Sequence, residues 1–266
     1  MLFEPFFSII TVTYNNLQGI IATSKSISSQ ECKDFEWLVI DGGSIDGTLD
    51  FILEPRTLIT NWISEKDLGI YDAMNKGIKL STGKYSVFLN AGDVFTGNTT
   101  LEKVKKIITC SSELPDMLLG GAMFVLQNGV NLYREPRDIS KYIWHGVPAN
   151  HQATYFRNEI LKNTLYDIRY KICGDYYLMA MFYLKGKYFA YLNESLVSFQ
   201  VDGTSYKNPV LLWKESYLVK IKVLKLPLII RIKSLAKSII STLAMIVVSQ
   251  PSFRWLAKYI KKATQN

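Results

Sequence analysis

The sequence has little cysteine: Cys32, Cys110 and Cys173 are scattered over 266 residues, with no close pair and no metal-type spacing. That argues against a disulfide framework and fits a reducing, cytosolic setting. No long apolar run is present. The most apolar late stretch, Ile239 to Ser249, already contains Ser241 and Thr242, whereas a bilayer crossing needs about 20 residues. Met1 to Pro5 carries no basic segment ahead of an apolar one, so neither a signal peptide nor an integral membrane protein is expected. No Gly-x-Gly-x-x-Gly follows the first apolar segment and no Gly-Lys-Ser/Thr occurs anywhere. Dinucleotide and P-loop sites therefore lack their phosphate cradles. Internal repeats and low-complexity segments are absent as well.

Charge is unevenly placed. The net +8 includes eleven Lys/Arg and a single acid, Glu215, from Lys214 onward, so the body before it holds 20 basic and 22 acidic residues. Basicity belongs to the last fifty or so positions, and the globular part is near neutral.

The body alternates strand and helix patterns. Ser8–Thr13 and Glu36–Ile40 are apolar and rich in β-branched residues, as strands buried on both faces are. Leu58–Ser64 and Tyr85–Leu89 give two more strands. Helical patterns run over Ile20–Ile27, from Asp46 to Leu53, and over Tyr71–Leu80. This alternation predicts an α/β fold with a mostly parallel central sheet flanked by helices. Ligands of such sheets bind beyond the carboxyl ends of the strands. Three polar clusters fall at such ends: Thr13-Tyr14-Asn15, Asp41-Gly42-Gly43-Ser44 and Asn90-Ala91-Gly92-Asp93. The second half is less regular: Asp116–Val125 returns to the sheet, Asp138–Asn150 reads as loop and His151–Phe156 as a strand. Asp175–Leu184 then reads as a helix and Tyr188–Phe199 as a strand or hairpin.

Phe7 to Asn15, Phe35 to Thr48 (FEWLVIDGGSIDGT), Ile63 to Gly77 (ISEKDLGIYDAMNKG), Phe88 to Asp93 (FLNAGD) and His151-Gln152-Ala153 occur in order. Together they resemble family 2 glycosyltransferases, and within them the bacterial subgroup of colanic acid, O-antigen and exopolysaccharide assembly. The resemblance covers roughly residues 7 to 200. It implies a GT-A fold, with 1–100 as a nucleotide-sugar-binding half and 101–205 as an acceptor and catalytic half. It also implies transfer of one sugar, with inversion, from a nucleotide-sugar (UDP preferred) to a lipid-linked acceptor.

The same resemblance assigns roles. Asp41 stands where the nucleotide base is recognised, beside Gly43 and Ser44, with Thr11, Tyr14 and Asn15 lining the pocket. Tyr14 either stacks on the base or only packs. Asp46 is placed either to cap a helix or to contact the nucleotide. Asp67, Tyr71, Asn75 and Lys76 form a further donor-side group, and Tyr71 and Asn75 lie one helical turn apart. Lys76 is suited to offset diphosphate charge. Asn90 and Asp93 occupy the family's Asp-x-Asp segment, with one carboxylate left to hold Mn²⁺ or Mg²⁺. His151, one of two histidines, is a further metal or acceptor residue, and Gln152 an acceptor residue. Asp175, opening a late helix, is the expected general base.

Residues 206–266 read as a basic amphipathic helical tail that lies on an anionic membrane and brings the enzyme to a polyprenyl-diphosphate-linked glycan. The expected location is the inner face of the plasma membrane, with the chain peripherally bound. Gln250-Pro-Ser-Phe-Arg254-Trp255 has three residues between Gln and Arg, one more than the processive Gln-x-x-Arg-Trp motif. Nothing indicates nucleic acid. A sugar nucleotidyltransferase and a non-catalytic carbohydrate-binding partner are the alternative classes.

Overall fold

A computed structural model of the chain describes residues 4–126, 129–200, 208–234, 236, 239 and 240. Four parallel strands form its first half in the order β3 (Asn61–Ser64), β2 (Phe35–Asp41), β1 (Phe7–Thr13) and β4 (Tyr85–Phe88). Strand β1 is buried along its whole length, because its side chains alternate between two apolar layers. Phe7 and Ile9, with Trp37 and Val39, pack under Ile20 and Ile27 of α1 (Leu17–Ser28). Ile10 and Val12, with Leu38 and Ile40, pack under Met74 and Ile78 of α3 (Ile70–Leu80). The short α2 (Thr48–Ile52) joins β2 to β3.

The second half departs from a parallel pattern. Next to β4 lies the antiparallel β8 (Thr154–Arg157), and β6 (Met117–Val125) runs antiparallel to β8. Strand β9 (Phe189–Gln200) is parallel to β6, with register shifts at Gly120 and Gly121. The edges are β5 (Val94–Phe95), antiparallel to β9, and β7 (Asn131–Arg134), antiparallel to β6. Antiparallel neighbours need no crossover helix, which is why this half showed no regular strand–helix alternation. The segment expected as loop holds α5 (Ile139–Tyr142), and His151–Ala153 is a 3₁₀ turn ahead of β8. Helix α4 (Thr100–Cys110) was not expected, although Leu101, Val104 and Ile108 carry its helical spacing into the core. A short α6 (Asn158–Leu161) follows β8.

Helix α7 (Gly174–Leu184) covers the same face as α3, through Leu178 and Phe182. Behind it, α8 (Pro209–Leu218) runs into a π-helical turn, Val219–Val223. Val219, Leu224 and Leu226 belong to the same apolar cluster as α7, so this stretch of the expected tail is packed into the body. The expected boundary at 205/206 lies outside the described residues, as do residues 241–266 with the Gln250–Trp255 segment. No helix among the described residues is long and apolar enough to cross a membrane.

Candidate active site

The carboxyl ends of β1, β2 and β4 meet at one edge of the sheet. At β2, Asp41 is fully buried. Its carboxylate accepts the Ser44 N–H (3.0 Å), the Ser44 hydroxyl (2.5 Å) and the Ser64 hydroxyl (2.6 Å). These three donors fix the turn and leave about one of roughly four lone-pair sites free. Gly43 sits at φ +82°, in the left-handed region that favours glycine. Asn15, also left-handed at φ +46°, staples β1 to this turn. Its N–H donates to Ser44 Oγ and its Oδ1 accepts the Ile45 N–H. The Tyr14 ring is 65% exposed, and a Cβ on Gly42 would sit 3.2 Å from it. An open aromatic face thus lies beside the Asp41 turn.

Several expected donor residues are engaged elsewhere. Thr11 does not reach the crevice: it is fully buried, donates to Leu89 O and accepts the Trp37 indole N–H. Two residues on, Thr13 ends β1 with a buried hydroxyl that has no partner, and it is the better candidate. Asp46 accepts the Leu17 N–H, the Thr48 N–H and the Thr48 hydroxyl. That last bond above all holds its carboxyl below the usual value, and the three contacts tie the turn before α2 to the start of α1. Asn75 clamps Tyr166 through both backbone groups, and the Tyr71 hydroxyl donates to Ile172 O. Both therefore position the 166–172 segment. Lys76 contacts Asp67 (2.5 Å), Glu65 (2.8 Å) and Asp72 (3.7 Å). Its charge is more than matched by these carboxylates, so it does not stand open toward a diphosphate. Burial pushes the Asp67 carboxyl up, against the pull of Lys76.

The second cluster joins residues far apart in sequence. The turn 90–93 is held by Thr23 of α1, whose hydroxyl donates to Asp93 O and accepts the Gly92 N–H. The largely buried Asp93 accepts the Asn90 N–H through Oδ2. The Asn90 Nδ2 lies 3.5 Å from His151 Nε2, and His151 Nδ1 lies 3.7 Å from Asp175 Oδ2. Asp175 opens α7 and accepts the Tyr176 N–H. Asp93, Asn90, His151 and Asp175 thus form one continuous run, with Gln152 nearly buried beside it.

Sequence reasoning missed Arg134 on β7. Its guanidinium donates to Val147 O (2.6 Å), and burial lowers its affinity for a proton. It also missed Glu215 of α8, which is 5% exposed. Its carboxylate accepts the N–H groups of Lys171 (2.8 Å), Ile172 (2.8 Å) and Cys173 (2.9 Å), the segment leading into Asp175. An acid alone in a basic tail was the available signal.

Residues 8–169 match the model of Glycosyl transferase family 2. The chain belongs to this family. It is 33% identical to a PGL/p-HBAD biosynthesis glycosyltransferase of Mycobacterium tuberculosis over 181 residues, 65% of this chain and 67% of that one. A glycosyltransferase of Methanocaldococcus jannaschii is 25% identical over 235 residues, covering 84% of this chain and 77% of the other. Among solved structures, S. aureus TarS with UDP-GlcNAc matches with a TM-score of 0.63 at 19% identity, over 88% of this chain and 71% of that chain. The Pyrobaculum calidifontis mannosyltransferase PcManGT, with GDP-Man and Mn²⁺, gives 0.62 at 16%, over 99% and 81%. The fold is that of GT-A glycosyltransferases, and the protein is a glycosyltransferase.

No group of three or more His, Cys, Asp or Glu among the described residues is placed to hold a metal by itself. Oxygen acceptors do collect at the site: Asn90 Oδ1, next to Asp93 and His151, is buried with no partner, as is Gln152 Oε1. One carboxylate with neutral oxygens suits a hard divalent cation whose other positions are filled by phosphate oxygens and water.

Proposed function

We propose that the protein transfers a single sugar, with inversion, from a nucleoside diphosphate sugar to a lipid-linked oligosaccharide in surface-polysaccharide assembly. The observation that carries the reading is the run Asp93–Asn90–His151–Asp175, which sets a metal-type turn and a candidate base on either side of one imidazole. Asp41, Ser44 and Asn15 form the base end of the donor site, with Tyr14 stacking over it. Solved structures of this fold hold UDP, UDP-GlcNAc and GDP-Man, and a uracil nucleotide is the preferred donor here. Asp93, Asn90 and His151 would hold Mn²⁺ or Mg²⁺, which when bound screens charge on the leaving diphosphate.

The Asp175 carboxylate takes the proton of the acceptor hydroxyl as that oxygen attacks the anomeric carbon. The anomeric C–O bond to the diphosphate breaks on the opposite side, and its electron pair leaves with the nucleoside diphosphate. His151 orients Asp175, and Gln152 is placed to receive the acceptor. The lipid side of the reading is supported by the exposed Leu228, Ile229 and Ile232 beside Lys225, Arg231 and Lys233. Such a surface suits peripheral binding to the anionic inner leaflet.

Thermal-shift binding of UDP, GDP, CDP and dTDP, with and without Mn²⁺, tests the donor site. Stabilisation by UDP that rises with Mn²⁺ and is lost in Asp93→Ala is the expected result. Binding of no diphosphate by folded protein would overturn the reading.

A further inference from the structure

A cavity of about 620 Å³ lies behind α7, between that helix, α8 and the segment 167–171. It falls within the roughly 300–1,000 Å³ of small-molecule sites, and it is separate from the run that ends at Asp175. Four cations line it: Arg169, Lys171, Lys214 and Lys222. Its two acids already have partners, and Asp167 offsets one of the four cations. Asp167 is bound by Arg169, and Glu215 by three backbone N–H groups. Among the described residues, neither Lys214 nor Lys222 has a carboxylate partner. The remaining lining is apolar, with Met181, Leu184, Leu211 and Leu218, and the stacked pair Tyr170 and Tyr177.

Excess positive charge beside an apolar wall is complementary to an amphiphile with a compact polyanionic head. Two features place the head toward the active centre. Lys171 Nζ donates to Leu68 O (3.2 Å), next to Asp67 of the donor side. Tyr177 lies only about 3 Å further along the α7 axis than Asp175, though on the other side of the helix. Along the chain, α8 and the π-helical turn lead on to the exposed Leu228 and Ile229.

We propose that this cavity binds the diphosphate and first isoprene units of a prenyl-diphosphate-linked acceptor, so that its glycan rounds the N-terminal end of α7 to reach Asp175. The proposal rests on the lipid-linked acceptor reading above and gives it a site. Lys171, Lys214 and Lys222 hold the diphosphate, and Leu211, Leu218 and Met181 hold the chain.

The test is calorimetric titration of the full chain with farnesyl diphosphate, using wild type, Lys214→Glu/Lys222→Glu and the milder Lys214→Gln/Lys222→Gln. Both lysines are exposed, and an unchanged UDP-induced thermal shift reports that each variant is folded with its donor site intact. Binding is expected to weaken about tenfold or more in the Glu pair and less in the Gln pair. UDP is expected not to displace the ligand. Equal affinity in all three proteins, or displacement by UDP, would overturn the proposal. So would equal binding of inorganic pyrophosphate, of farnesol or of a short-chain phosphatidylglycerol, which would indicate free phosphate, apolar contact or general anionic lipid. Farnesyl diphosphate binding of the expected kind without any UDP response would refute the donor site and leave this one standing.

Discussion

Glu215 is the residue whose removal tests the architecture most directly. It crosses from α8 to the segment before α7 and accepts three backbone N–H groups at 2.8, 2.8 and 2.9 Å. One oxygen serves Lys171 and the other serves Ile172 and Cys173, all at a residue only 5% exposed. In Glu215→Ala these donors lose a charged acceptor, and each buried N–H left unpaired costs about 1–3 kcal/mol. Water entering from the adjacent cavity recovers part of that, so a loss of about 4 kcal/mol is expected. In a protein of this size that is a large share of total stability and lowers Tm by roughly 10 °C. Glu215→Gln keeps one carbonyl oxygen but turns an NH₂ toward a donor, so about half the loss is expected. Urea unfolding of the three proteins gives the numbers. Transfer kinetics give the functional side: kcat falls more than KM rises in the Ala variant, because Asp175 lies two residues beyond the clamp. The Gln variant restores part of kcat. A loss below about 1 kcal/mol in the Ala variant would refute the clamp.

Other outcomes follow from the same geometry. Asp175→Asn lowers the transfer rate a hundredfold or more while UDP binding is kept, read by single-turnover assay beside thermal shift. A Cβ on Gly174 would lie 2.7 Å from the Tyr71 ring, which is itself tied to Ile172. Gly174→Ala therefore costs about 1–3 kcal/mol by overpacking and lowers kcat as the first turn of α7 shifts, which urea unfolding and initial rates will show. Lys220 is buried over the Tyr176 ring, and burial pulls its ammonium down to about 8. Above that pH and below the usual lysine value of 10.5 the unfolded chain holds a proton that the folded chain has released, so stability rises with pH across this window. Lys220→Met removes the slope and is more stable by about 2 kcal/mol at pH 7, converging with wild type near pH 10; equal pH profiles would contradict this. A chain ended after Leu226 keeps the packed α8, loses the buried Ser234 contact to His145 O, and sediments less with phosphatidylglycerol vesicles, whereas binding of the full chain weakens with salt.

Much of the first hundred residues was legible by reading alone. Strands β1, β2 and β4 announce themselves as short apolar runs, and their buried alternation needs no knowledge of what packs on them. The turns at Asp41–Ser44 and Asn90–Asp93 follow from those strands, because in an open α/β sheet the polar residues at strand ends face the crevice. The motif order also led directly to the family that the chain belongs to. Which polar side chain faces the crevice was a tertiary matter. Thr11 is spent on Trp37 and Leu89, Asn75 on Tyr166, and Lys76 on three acids. Some of these partners are 78 or 91 residues away, and no local period encodes such a pairing. Asp175, His151 and Asn90 meet only because β8 returns beside β4 and α7 packs over the α3 face. Glu215 shows the division most clearly: its sequence surroundings assign it to a basic tail, but its three hydrogen bonds make it part of the scaffold of α7. Local pattern settles which segments are strands and helices, since that depends on near neighbours. The use of each buried charge depends on which distant donors the packed fold brings within 3 Å.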